Sequence, residues 1–152
     1  FLEFDSDVVR WKVGALAPSQ LILAKILSVE GEDANAIELL NLVIDGMQNE
    51  SLAEQPGSIF QRILCQALAG RARLTQSTRD WRVIINLLGV APSKLSPELS
   101  SLLVEAHQRL GDLHSAASIA AQLYASGYRH PDFIHLLDEF PGLKSIAERR
   151  VH

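Results

Sequence analysis

The residues of this chain with chemistry to offer are its histidines, one cysteine and a few clustered carboxylates. His107 and His114 flank the Gly111-Asp112 turn, and His130 and His135 straddle a predicted helix start with Asp132 and Asp138 nearby. No pair of them has the spacing of a zinc protease helix or of a Cys/His ligand set. His130 is expected to cap a helix, and the other histidines to pack or face solvent. Cys65 sits between Leu64 and Gln66 on an apolar helical run with only Arg62 close in sequence. A nucleophilic thiol needs a base beside it, so a buried structural cysteine is the expectation. Glu30, Glu32 and Asp33 lack the alternation of a calcium loop and are expected to complement a helix N-terminus. No phosphate-cradling glycine loop or nucleophile elbow occurs. The sequence therefore predicts no catalytic residue, no metal and no cofactor: not an enzyme.

Charge is distributed unevenly. Glu30, Glu32, Asp33, Glu38, Asp45, Glu50 and Glu54 follow one another with no base between them. Arg62, Arg71, Arg73, Arg79, Arg82 and Lys94 then enclose a single acid, Asp80. Packing of complementary units and solvated faces accounts for most of this. The sharper alternative is a basic strip, Arg62, Arg71, Arg73, Arg79 and Arg82, that receives an acidic partner segment, with Arg62, Arg71 and Arg73 as the candidate contacts. The net charge of −4 argues against a nucleic-acid partner.

The elements that must carry these groups read as helices. Hydrophobic residues make up 47% of the 152 positions and aromatics 6%, a balance of alanine, leucine and isoleucine that favours helix over sheet. Residues 6–13 are expected to form a lead-in helix stopped by Gly14. Pro18 would open the next, with Leu21, Leu23, Ala24 and Leu27 as its apolar stripe. Gly31 stops it, Asp33 caps the following helix, and Ala36, Ile37, Leu40, Val43 and Ile44 form that helix's buried face. Residues 49–57 read as a linker closed by Pro56-Gly57. A long helix from Ser58 buries Ile59, Phe60, Ile63, Leu64, Ala67 and Leu68, and Gly70 leaves its end open. Ser77 to Asp80 has the spacing of a capping box before a helix to Leu88. Ser96-Pro97 is a cap followed by proline at the first helical position. Two helices then flank Gly111, His130-Pro131 starts another, and Pro141-Gly142 precedes a short last one.

Two of these segments align. Leu23–Leu40 (LAKILSVEGEDANAIELL) matches Leu103–Ala120 (LVEAHQRLGDLHSAASIA), bringing Gly31 onto Gly111, Ala36 onto Ala116 and Ala24 onto Val104. Trp81–Leu88 aligns with the second helix of the pair and sets Val83 opposite the two alanines. The units resemble tetratricopeptide repeats, each a helix–turn–helix of about 34 residues. Small residues at Ala36 and Ala116 would let paired helices approach closely. The family's tryptophan, tyrosine and closing proline are replaced here by Gln20 and Ser100, by Leu27 and His107, and by Gln48 and Tyr128.

The resemblance implies an all-α fold, a right-handed α-solenoid of antiparallel helix pairs. Its expected parts are a lead-in helix at 1–16, the helical repeats at 17–140 and a capping helix at 141–152. It implies a non-catalytic scaffold or adaptor that binds a peptide or helix of a protein partner in the groove lined by first helices. The matching groove positions are Leu21, Lys25 and Ser28, then Ser101, Glu105, Gln108 and Arg109. A Lys-x-x-x-Asn clamp for a terminal carboxylate is absent, because Val29 follows Lys25 at that spacing. The alternative is a regulatory or oligomerisation domain of a larger signalling or secretion-system protein, a homodimer joined through Phe1, Phe4 and Trp11. No apolar run spans a bilayer and no signal peptide is seen. A cytoplasmic piece excised from a longer protein, without membrane insertion, is the expectation.

Overall fold

A computed structural model describes residues 6–48, 55–90 and 92–149, with side chains from Leu16 onward. The expected contact residues Phe1 and Phe4, the side chain of Trp11 and most of the 49–57 linker lie outside the described residues. The fold is all-α: α1 (Ser6–Val29), α2 (Asp33–Gln48), α3 (Ile59–Thr75), α4 (Thr78–Leu88), α5 (Pro97–Arg109), α6 (Leu113–Ala125), α7 (Pro131–Glu139) and α8 (Pro141–Arg149), with a 3-10 turn at Pro92–Lys94. The chain divides into two compact units, Phe1–Asp80 and Trp81–His152, the division falling within α4.

In the first unit, α2 packs on α1 and on α3, and α1 also meets α3. The lead-in helix is not separate, because α1 runs unbroken through Gly14 and Pro18. One glycine costs a helix about 1 kcal/mol, which flanking turns can absorb, and a proline inside a helix removes one bond without ending it. The buried side of α1 carries Ala17 and Ala24, while Leu23 points outward, against the expected stripe. α2 buries Ala36, Leu40, Val43, Ile44 and Met47, a three- and four-residue spacing, and leaves Ile37 half-buried. Asp33 is the first residue of α2 rather than its cap.

α3 is started by a reciprocal cap. The Gln61 N–H donates to Ser58 Oγ (3.1 Å), and Gln61 Oε1 accepts from the Gly57 N–H (3.2 Å). That arrangement lets Gln61 be buried with its polar groups engaged. Ile59 is consequently turned to solvent rather than into the core. Gly70 lies inside α3, and a Cβ there would stand 3.4 Å from both Leu40 methyls. This glycine marks the close approach of α3 to α2, so the helix continues past it to Thr75.

In the second unit, α5 packs on α6, and α6 and α7 pack on α8. Ser96 Oγ caps α5 by accepting from the Leu99 N–H (3.3 Å), with Pro97 at the first helical position. Asp112 caps α6 through Ser115 (3.2 Å), and His130 Nδ1 caps α7 through the Asp132 N–H (3.2 Å). The core gathers Val104, Ala116, Ala117, Ala120, Leu123, Phe133, Leu136, Leu137, Leu143 and Ala147.

The turns at Gly31 and Gly111 have one bonding pattern. Glu32 donates to the Leu27 carbonyl (2.8 Å) and Gly31 to that of Ser28 (3.1 Å); Asp112 donates to His107 (2.9 Å) and Gly111 to Gln108 (3.2 Å). Both glycines are left-handed, at φ +82° and +85°. Each turn is a glycine-terminated helix end that satisfies the last carbonyls of the preceding helix.

Candidate interaction surface

Of the candidate cations, Arg62 and Arg73 are exposed and lie eleven residues apart on α3, three turns along one face. Arg71 lies on the opposite side of that helix. Its Nε and Nη2 donate to the two carboxylate oxygens of Asp80 (2.9 and 2.8 Å), and its Nη1 donates to Asn41 Oδ1 (2.9 Å). The hydrogen bonds to Asp80 raise the Arg71 pKa against the opposing effect of burial. The guanidinium therefore ties α3 to α2 and to the start of α4, and Asp80 is buried with it. The expected capping box is one-sided: Ser77 Oγ accepts the Asp80 N–H at 3.4 Å, but the carboxylate is turned to Arg71. Arg62, Arg71 and Arg73 do not form a strip.

Glu105, Gln108 and Arg109 come together near the end of α5, with different exposures. Glu105 is buried, Gln108 half-buried and Arg109 exposed. Arg109 reaches Glu139 of α7 at 2.7 Å and Glu105 at 3.6 Å, and its guanidinium lies 5.0 Å from the centre of the Phe140 ring. These contacts fasten α5 to the end of α7. The i,i+4 spacing of Glu105 and Arg109 was legible in the sequence; Glu139 and Phe140 were not.

Cys65 is buried and His107 half-buried. Burial pushes the Cys65 thiol up to about 12, so it is protonated and shielded. His107 Nδ1 is buried without a hydrogen bond, 3.5 Å from an Asp112 carboxylate oxygen. Among the described residues no group of three His, Cys, Asp or Glu side chains could hold a metal ion. None of their helices is long and apolar enough to cross a membrane.

Lys25 and Ser28 lie on α1 with Leu21, on the face the resemblance assigned to a groove. Beside Lys25 the helix turns an apolar row to solvent. Ile22, Leu23, Ile26 and Val29 recur at three- and four-residue steps and are 63, 47, 47 and 82% exposed. Leu16 extends the stripe by two turns and is also exposed. Between Leu16 and Val29 the only charged residue is Lys25. This side of α1 is opposite the one that Ala17 and Ala24 turn inward. The signal was present in the sequence, since α1 is apolar around most of its circumference, more than a single buried face requires.

Compared with known proteins, the chain matches no family model, no curated protein and no solved structure.

Proposed function

We propose that this chain is a non-catalytic protein–protein interaction domain, a right-handed array of antiparallel, tetratricopeptide-like helix pairs that holds an apolar helix or peptide of a partner against α1. The observation that carries this reading is the uncharged, exposed stripe Ile22, Leu23, Ile26 and Val29. Isolated exposed apolar side chains need no explanation, but a continuous row on one helix face marks a contact site. Lys25 borders the row and would lie on its polar rim, whereas Ser28 is half-buried on the side of Ala24. The repeat reading is supported by the complete burial of Ala36 and Ala116 at matching places after the Gly31 and Gly111 turns; the turn bonding itself is a general helix ending, found also at Gly127. Arg71, Glu105 and Arg109 serve packing in this account and are not partner contacts.

A displayed library of amphipathic helices tests the reading. Selected binders should carry apolar residues at three- and four-residue spacing and compete with one another. They should lose at least about tenfold in affinity against the double variant Ile22→Glu/Ile26→Glu, because each charge would be buried unpaired. Binders indifferent to the double variant, or no enrichment, would contradict it.

A further inference from the structure

We draw no further inference here: the strongest candidate, the exposed apolar face of α1 at Ile22, Leu23, Ile26 and Val29, belongs to the site already described, and nothing in the structure shows what covers it.

Discussion

The turns at Gly31 and Gly111 are bonded alike, yet the helices that lead into them meet different surroundings. α5 is buried at Leu102, Leu103 and Ala106, while α1 is open to solvent at the matching Ile22, Leu23 and Ile26. Turn geometry is a local property, fixed by a left-handed glycine and the carbonyls it satisfies. Burial of a helix face is not local, since it depends on what the rest of the chain, or another chain, brings to it. The proposed binding role of the first region rests on this difference in exposure.

That contrast can be broken most severely at positions 26 and 106. Ala106→Glu places an unpaired carboxylate in a fully buried site and should destabilise the protein by about 3 kcal/mol or more, enough to unfold a marginal domain. Ile26→Glu should change the stability of the monomer by less than about 1 kcal/mol. Chemical denaturation in dilute solution measures both, and equal losses would mean that the α1 face is covered within the monomer.

The ion pairs should divide in the same way. Arg71→Ala strands the buried Asp80 carboxylate, for an expected loss of about 3 kcal/mol. Glu139→Ala removes a partly exposed partner of Arg109 and should cost less than about 1 kcal/mol. A double-mutant cycle on each pair gives the coupling directly.

The turns themselves should not divide. Gly31→Ala and Gly111→Ala each force a side chain into left-handed backbone, with no steric contact at either Cβ. Each should lose about 1 kcal/mol, and by similar amounts. Unequal losses would show that the two turns are alike only in their bonds.

The smallest effect concerns pH. Hydrogen bonds from Ser115, and beyond them the charges of His107 and His114, hold the Asp112 carboxyl below the usual carboxylate range. A carboxyl depressed in the folded state adds stability at pH above its unfolded value, and that stability is lost as pH falls through the folded value. Acid titration of wild type and Asp112→Asn should show a slightly steeper loss for the wild type. The asparagine keeps an oxygen for the cap but cannot titrate.

Much of the helical plan was legible because stop and start signals are local. Ser96-Pro97, Gly111 and His130-Pro131 each behave as their types require. Gly14 and Pro18 misled because a glycine and a proline that a long helix tolerates look, in sequence, like a stop and a start; Gly70 left the end of α3 open because a close-approach glycine and a helix end look alike. Arg71 looks in sequence like part of a surface strip because its partners Asn41 and Asp80 lie on other helices, outside any periodic pattern. The α1 stripe was missed for a different reason. Leu21, Leu23, Ala24 and Leu27 have the spacing of one buried face, but a helix that is apolar on several sides does not reveal in its sequence which side the fold covers.

The faces of α1 and α5 that align in sequence differ in being bare and covered. Thiol labelling tests it most directly, because the one native cysteine, Cys65, is buried and protonated. The thiol introduced by Ile26→Cys, in dilute protein, should react with a maleimide at least about a hundredfold faster than that introduced by Ala106→Cys, which reacts only through local opening. Equal rates at the two positions would contradict the account.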